Sequence, residues 1–334
     1  MVQSELFPQS NLIFYIAFAG ILALLEWLVI VICRRYNIGP EITTRSLHKK
    51  FTPTFGGSLW VIAAVVGICL FGNLRLASTW IFMLGTVFLG IVSFIDDYKP
   101  LPPVPRLICQ TAVLALTFKH LCLPETFDIY LLVLICGVGI INAINFLDGI
   151  TGMLALYGIV TTGSLIYTIH ILCIPEICWL NSVLVLVLVA QIVFACFNLC
   201  DNIFAGDVGS ITLGYIQICV TLTIILLTAN ASYLLFFAIC FFDTGLTTMQ
   251  RLFSGISILQ PHKMNIYQLL TSEYKIPHIV VSIIYALLQL LINCLFFLIP
   301  VSQHWTYFII VCLLLTIAYF VLRFSFPKNS GNFA

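Results

Sequence analysis

Two adjacent carboxylates, Asp96 and Asp97, close a long apolar run and are followed by Lys99 and a proline-rich stretch. Neighbouring carboxylates repel each other, so such a pair tends to hold a proton or to bind a cation. A hard cation such as Mg²⁺ takes one or two carboxylates together with phosphate oxygens, which would suit this pair. The alternative is a solvated helix end that the prolines terminate.

A second polar set, Asn142, Asn145, Asp148 and Gly149, follows the end of another apolar run. At about 100° per residue these positions stay within one third of a helix circumference. The amides and the carboxylate need a polar cavity, because lipid would leave them unpaired. An asparagine there could read a nucleobase edge, since its amide both donates and accepts. The alternative is a purely structural hydrogen bond between two neighbouring helices.

A glycine-rich segment from Phe204 to Ser210 directly precedes a further apolar run. Glycine lets the backbone approach a ligand closely. Ser210 could cap a helix whose N–H groups favour a phosphate. Asp207 beside such an anion site would be a natural carrier of a bridging Mg²⁺. The alternative is a glycine-rich turn with an ordinary cap.

Basic residues near two of the loops could bind phosphate. Lys49 belongs to a basic cluster before a predicted span, and His262 and Lys263 lie in the longest loop between predicted spans. Cations at a membrane surface attract anionic substrates or lipid headgroups, at about 1 kcal/mol per charge. Each of these residues could instead only anchor the chain or face water. The apolar residues after His262 predict a short helix lying on the membrane surface.

Asp243 is a carboxylate inside an apolar run, where a buried charge is costly and is usually functional or paired. Arg251 follows eight residues later on roughly the same helix face. We therefore expect Arg251 to help neutralise Asp243.

Membrane-spanning helices are the elements that must position these residues. The chain has 334 residues, of which 61% are hydrophobic and 8% charged, whereas about a quarter of the residues in a soluble domain are charged. A hydrocarbon core of about 30 Å needs about 17 to 25 residues of helix. The sequence predicts one all-α integral membrane domain over residues 1–334, a polytopic bundle of about 11 transmembrane helices. The apolar runs are Leu12–Ile32, Gly56–Gly72, Thr79–Ile95, Leu107–Leu123, Ile129–Leu147, Met153–Ile174, Asn181–Leu199, Ile211–Thr228, Ser232–Met249, Ile279–Ile299 and Trp305–Leu322.

The distribution of lysine and arginine predicts the orientation. If eleven spans alternate, all Lys and Arg residues except Arg75 and Lys119 fall on one side, which is the bias of a cytoplasmic face. The amino terminus is then outside, and the carboxyl terminus and the acidic loops are cytoplasmic. A signal peptide is not expected, because Glu5 but no Lys or Arg occurs in the first ten residues.

Taken together, the polar segments resemble those of the polyprenyl-phosphate N-acetylhexosamine-1-phosphate transferases, the polytopic enzymes of glycosyltransferase family 4. The resemblance extends from Thr52 to about Leu291, and the matching segments occur in the family's order. They are Pro53–Gly57, Asp96–Lys99, Asn142–Gly149 and Phe204–Ser210.

The resemblance implies transfer of N-acetylhexosamine-1-phosphate from a UDP-sugar to undecaprenyl phosphate, with release of UMP. It implies a catalytic set of Asp96, Asp97, Asp207 and His262, of which the three aspartates also bind Mg²⁺, with Mn²⁺ as the alternative ion. The implied substrate-binding residues are Lys49, Lys99, Asn142, Asn145, Asp148, Phe204, Gly209, Ser210 and Lys263. The implied setting is the bacterial inner membrane, in contact with membrane lipid, without nucleic acid, and with a homodimer allowed.

The loop from Pro261 to Gln268 resembles that of the O-antigen-initiating branch, which makes lipopolysaccharide precursors. Lys263 stands where that branch has arginine, and Asn265 stands where it has a second histidine. This departure leaves the donor open between N-acetylglucosamine and a modified sugar such as fucosamine or quinovosamine. The alternatives are a peptidoglycan-type transferase of the same family and a polytopic transporter. A transporter would place its charged site near the bilayer midplane, whereas these carboxylates cluster at span ends.

Overall fold

The computed structural model of the protein describes residues 12–36, 38–39, 52–121, 127–257 and 263–325. No β-strand occurs within these ranges, and short 3₁₀ segments are found next to several helices. The α-helices, in chain order, are α1 (Leu12–Tyr36), α2 (Ser58–Phe71), α3 (Ala77–Tyr98), α4 (Pro103–Leu121), α5 (Phe127–Phe146), α6 (Met153–Leu172), α7 (Cys178–Asn198), α8 (Gly206–Thr228), α9 (Ala238–Phe253), α10 (Ile266–Ser272), α11 (His278–Leu298) and α12 (His304–Ser325).

Each of the eleven predicted apolar runs overlaps one of these helices. In the described part of the chain, nine helices are long and apolar enough to cross a membrane. The two other runs correspond to α2, which has only 14 residues, and to α4, whose 19 residues include Arg106 and Lys119. The protein is thus an all-α polytopic membrane protein, and the count of eleven spans and their orientation stay predictions.

Helix α8 occupies the centre of the bundle and packs against α2, α3, α4, α5 and α6. Nearly every residue from Gly206 to Ile224 is buried. Gln217 donates hydrogen bonds to the Gly158 carbonyl at 3.2 Å and to the Thr162 hydroxyl at 2.9 Å, both on α6. Such polar bonds matter between membrane helices because lipid offers no competing partner. The helix that starts within the Phe204–Ser210 segment is therefore held by both apolar packing and interhelical hydrogen bonds.

The peripheral helices present apolar side chains to the outside. Large apolar side chains are exposed along α1, α11 and α12, including Leu24, Leu287, Leu313 and Ile317. Water would make such a surface unfavourable, whereas hydrocarbon solvates it. These faces are therefore suited to contact with lipid.

Helix α10 lies inside the protein, so the prediction of a short surface helix is wrong. Ile266, Tyr267 and Leu269 are all buried. The predicted pairing of Asp243 with Arg251 is also wrong, because Asp243 accepts the N–H groups of Ile266 and Tyr267. A carboxylate at a helix start is stabilised by the partial positive charge of the unpaired N–H groups. Arg251 donates to the Ser257 carbonyl at 2.6 Å.

Candidate active site

Three helix ends bring the predicted carboxylates together at one end of the bundle. Asp96 and Asp97 lie in the last turn of α3, and Asp148 lies in the 3₁₀ turn that follows α5. Asp207 is the second residue of α8. Because α8 packs against both α3 and α5, carboxylates that are far apart in sequence converge.

Two of the carboxylates cap the start of α8. Asp97 accepts the Asp207 N–H at 2.9 Å and the Val208 N–H at 3.0 Å, one on each oxygen. Asp148 accepts the Gly206 N–H at 2.7 Å. The first N–H groups of a helix have no partner within the helix, and here neighbouring helices supply carboxylates to them. The expectation that this helix start binds a phosphate with Ser210 as its cap is therefore corrected, because α8 begins four residues before Ser210 and its N–H groups are already donated to protein.

The Pro53–Gly57 segment, with the sequence PTFGG, is hydrogen-bonded to the two residues that precede the same helix start. The Phe204 N–H donates to the Pro53 carbonyl at 2.8 Å, and the Gly56 N–H donates to the Phe204 carbonyl at 3.0 Å. A Cβ on Gly57 would lie only 1.9 Å from the Cα of Gly209. The backbones at Gly57 and Gly209 can therefore approach this closely only because Gly57 has no side chain. The two glycine-containing motifs therefore form one structural unit.

Gly206 has a different reason to be glycine. Its φ is +72°, a left-handed conformation that L side chains rarely adopt. A Cβ there would also lie 2.6 Å from Asp97 Oδ2. The position thus allows the carboxylate of Asp97 to reach the first turn of α8.

Arg106 is a site residue that the sequence-based reasoning missed. Its Nη1 lies 2.5 Å from Asp96 Oδ2 and 2.9 Å from Asp207 Oδ2, so one nitrogen bridges two carboxylates. The other oxygen of Asp96 accepts the Leu101 N–H at 2.6 Å. From the sequence, Arg106 is only one of the basic residues that predict the orientation. The signal that could have found it is the proline-rich turn, which sends the first turn of α4 back alongside the last turn of α3.

Asn145 belongs to this cluster and Asn142 does not. The Asn145 amide donates to Asp207 Oδ1 at 2.7 Å and to Ser210 Oγ at 2.8 Å. Asn142 lies one turn deeper and donates to Gln110 Oε1 at 2.7 Å and to the Val138 carbonyl at 2.8 Å. The alternative of a structural hydrogen bond between helices therefore describes Asn142, whereas Asn145 orients the carboxylate of Asp207.

The remaining predicted residues are distributed around this cluster. Phe204 is buried, with 7% of its surface exposed, and the Gly209 carbonyl accepts the Trp60 indole N–H at 2.9 Å. Lys99 is exposed directly after α3, and Lys263 is half-buried. Lys49 and His262 lie outside the described residues.

The carboxylates of the cluster offer oxygen donors for the expected metal ion. Within the described ranges, no three or more His, Cys, Asp or Glu side chains form a group that could hold a metal. Asp96 and Asp207, however, already share one positive charge through Arg106. Two carboxylates completed by substrate phosphate oxygens form a donor set that Mg²⁺ accepts. The residues therefore fit such an ion by their chemistry, while both oxygens of Asp97 are engaged at the start of α8.

Comparisons with known proteins point to one family. Residues 79–226 match the model of the family described as glycosyl transferase family 4, and this region contains α4, α5 and the whole carboxylate cluster. Three relatives are phospho-N-acetylmuramoyl-pentapeptide-transferases. That of Thermodesulfovibrio yellowstonii is 29% identical over 209 residues, which are 50% of this chain and 58% of the relative.

The two others give the same result over similar or shorter stretches. The protein of Syntrophus aciditrophicus is 30% identical over 141 residues, 34% of this chain and 38% of the relative. That of Vesicomyosocius okutanii is 25% identical over 212 residues, 51% of this chain and 59% of the relative. The chain thus covers less than two thirds of the length of each relative. The region that matches glycosyl transferase family 4 contains Asp96, Asp97, Asp148 and Asp207, so the similarity to this family includes the whole carboxylate cluster.

Proposed function

We propose that this protein transfers N-acetylhexosamine-1-phosphate from a UDP-sugar to undecaprenyl phosphate, or to another polyprenyl phosphate, and releases UMP. The observation that carries the proposal is the cluster in which Arg106 bridges Asp96 and Asp207 while Asn145 holds Asp207 from the other side. Phosphoryl transfer needs chiefly positioning and charge stabilisation. A cluster of oriented carboxylates and a guanidinium at the end of a membrane bundle supplies both.

In the proposed reaction, an oxygen of the lipid phosphate forms a bond to the sugar-bearing phosphorus of the donor. The bond between that phosphorus and the oxygen that bridges the two donor phosphates breaks, and UMP leaves with that oxygen. The products are UMP and a polyprenyl diphosphate sugar. No oxidant or further reactant is needed.

The chain's own residues divide into two groups in this proposal. Asp96, Asp207 and Arg106 face the reacting phosphates, and Asn145 keeps Asp207 in one orientation through a 2.7 Å hydrogen bond. Asp97 and Asp148 hold the start of α8 in place by accepting its N–H groups. The nucleoside lies near Asn145 and Asp148, and Lys49, Lys99, His262 and Lys263 contribute positive charge or a hydrogen bond to phosphate.

Mg²⁺ is the proposed cofactor, with Mn²⁺ as the alternative. Asp207 and Asp96 would hold it, and when bound it would neutralise charge on the donor phosphates. Arg106 would then be released from one or both carboxylates, and its guanidinium would be available to a phosphate. Arginine suits this role because it presents several N–H donors to a phosphate in a fixed geometry.

The proposed setting is the cytoplasmic face of a bacterial inner membrane. The support is the twelve-to-two distribution of basic residues between the two predicted faces and the lipid-compatible periphery of the bundle. A lipid phosphate at the headgroup level could then reach the ends of α3 and α8, while a water-soluble donor enters from the cytoplasm.

Two donors are favoured by different observations. The names of the relatives specify a phospho-N-acetylmuramoyl-pentapeptide group, which favours a peptidoglycan-type donor. The loop that contains Lys263 and Asn265 resembles that of the O-antigen-initiating branch, which favours a UDP-N-acetylhexosamine without a peptide. Both candidates use the same chemistry at the carboxylate cluster.

The test is UMP release by the purified full-length chain in detergent with undecaprenyl phosphate and Mg²⁺. The donors are UDP-N-acetylglucosamine, UDP-N-acetylfucosamine, UDP-N-acetylquinovosamine and UDP-N-acetylmuramoyl-pentapeptide. We expect release with one donor, dependent on lipid, abolished in Asp207→Asn and retained in Asp201→Asn. Asp201 is a suitable control because its carboxylate accepts the Thr151 hydroxyl and not a group of the carboxylate cluster. Folded wild-type protein that releases no UMP with any donor would contradict the proposal and favour a transporter.

A further inference from the structure

Asp243 is a buried carboxylate that lies outside the carboxylate cluster. Its Oδ1 accepts the Ile266 N–H at 2.7 Å. Its Oδ2 accepts the Tyr267 N–H at 3.3 Å and the Tyr285 hydroxyl at 2.7 Å. A buried carboxylate is tolerated when such hydrogen bonds replace its hydration. Asp243 therefore fastens the start of α10 to α9 and α11.

Helix α10 is directly joined to the loop that carries the predicted phosphate-binding residues. Lys263 precedes the first residue of α10 by three positions. Within this short connection, the Asn265 N–H donates to Gln268 Oε1 at 3.3 Å, which folds the chain back onto the helix. Fixing the start of α10 therefore fixes the end of the loop next to Lys263.

Tyr267 links the start of α10 to the C-terminal end of α5. Its ring is buried and packs edge-on against Tyr285, with centroids 6.1 Å apart. Its hydroxyl donates to the carbonyl of Phe146, the last residue of α5. A Cβ on Gly149 would lie 2.6 Å from this hydroxyl, so the Leu147–Gly149 turn is seated tightly on Tyr267.

The 3₁₀ turn held by Tyr267 contains Asp148, which accepts the Gly206 N–H at 2.7 Å. Hydrogen bonds joined by short backbone segments thus connect Asp243, through the first turn of α10 and Tyr267, to the turn after α5, and from there to α8. The two elements that they join are the Lys263–Asn265 connection and the Asp148 turn. The proposed function places the nucleoside near Asp148 and gives Lys263 a contact with phosphate, whereas Asp96 lies on another helix.

We propose that Asp243 and Tyr267 are positioning residues for the nucleotide-sugar, which hold the Lys263–Asn265 connection and the Asp148 turn together in one donor site. This inference rests on the proposed function. It assigns a role to the intramembrane carboxylate and to the tyrosine of α10, neither of which contacts Arg106, Asp96 or Asp207.

The kinetic test compares Tyr267→Phe with the matched control Tyr274→Phe. Tyr274 is exposed, and its hydroxyl donates to the Ser325 carbonyl at 3.2 Å. Loss of the Tyr267 hydrogen bond should raise the KM for the donor about tenfold, the factor set by about 1.4 kcal/mol. The KM for undecaprenyl phosphate should change less than about twofold in this variant, and Tyr274→Phe should leave both constants unchanged. Equal changes in both KM values, or no change in either, would overturn the inference.

A second measurement does not depend on activity. Hydrogen exchange of the ligand-free chain should be about fivefold faster in the peptide that covers Phe146 to Gly152 in Tyr267→Phe, because one hydrogen bond that holds this turn is lost. Asp243→Asn should accelerate exchange both there and at the start of α10, and Tyr274→Phe at neither place. If the exchange rate of this turn is the same in Tyr267→Phe as in the wild type, the coupling is refuted, even if Asp243→Asn fails to fold. Wild-type protein that is inactive with every donor would instead count against the proposed function, and the exchange rates would still decide the coupling.

Discussion

Nη1 of Arg106 lies 2.9 Å from Oδ2 of Asp207, and this contact joins the first turn of α4 to the first turn of α8. The same nitrogen also contacts Asp96 at the end of α3. Three helices thus meet at one positive charge, and the charge balance of the candidate site depends on a residue that lies outside the four recognised motifs.

Replacing Arg106 should impair both stability and turnover. Arg106→Gln leaves Asp96 and Asp207 without their shared cation, so the free energy of unfolding should decrease by about 1–3 kcal/mol and UMP release should be nearly lost. Arg106→Lys should retain more activity than Arg106→Gln, because a single nitrogen makes both contacts. Thermal unfolding in detergent and UMP release measure the two effects. The control is Arg75→Gln, which changes an exposed residue in a predicted outside loop, and an equal effect of both glutamine variants would refute the prediction.

Substitution of Asn145 should mainly lower turnover, whereas substitution of Asn142 should mainly lower stability. Asn145→Ala removes the donor that orients Asp207, and turnover should fall about 10- to 100-fold, as expected for a hydrogen bond to a charged group. Asn142→Ala removes only the contact with Gln110 and the local Val138 carbonyl. It should lower the unfolding temperature and leave the turnover of folded protein within about threefold. The idea fails if the Asn142 variant loses as much turnover as the Asn145 variant.

Gly57→Ala should prevent the PTFGG segment from seating against α8. The added Cβ would lie 1.9 Å from a backbone atom of Gly209, which cannot move away as the end of a flexible side chain could. We expect a large loss of folded protein, measured by size-exclusion chromatography and thermal unfolding. The matched control is Gly163→Ala in α6, where a Cβ meets nothing within 4 Å and helix propensity favours alanine by up to about 1 kcal/mol. Comparable yields of the two variants would show that the close approach is not required.

Removal of divalent ions should stop UMP release reversibly. The proposed ion shares Asp96 and Asp207 with Arg106, so chelation with EDTA should abolish turnover, and Mg²⁺ or Mn²⁺ should restore it. Asp207→Asn should not be rescued by either ion at any concentration tested, because the ligand itself is changed. Undiminished turnover after exhaustive chelation would rule out the metal-dependent form of the proposal.

The sequence by itself determined the all-α class, the positions of the helices and the four polar segments that supply the carboxylates. Apolar run length and the polar residues that interrupt the runs are local properties, and a bilayer imposes a minimum length on each span. For this reason each predicted run overlaps a helix, and Asp96, Asp97, Asp148 and Asp207 could all be named before their arrangement was known. The identity of the motifs did not reveal which of these aspartates accept the N–H groups of α8 and which contact Arg106.

Only the tertiary structure decided the partners of these residues. Arg106 and Asp207 are 101 positions apart in the sequence, and their contact depends on the way in which α3, α4 and α8 pack. The carboxylates of Asp97 and Asp148 satisfy the start of α8, and Asp243 holds a buried α10 instead of pairing with Arg251. Partner choice is non-local because a buried polar group takes whichever donor or acceptor the packed helices bring within about 3 Å, and sequence spacing does not contain that information.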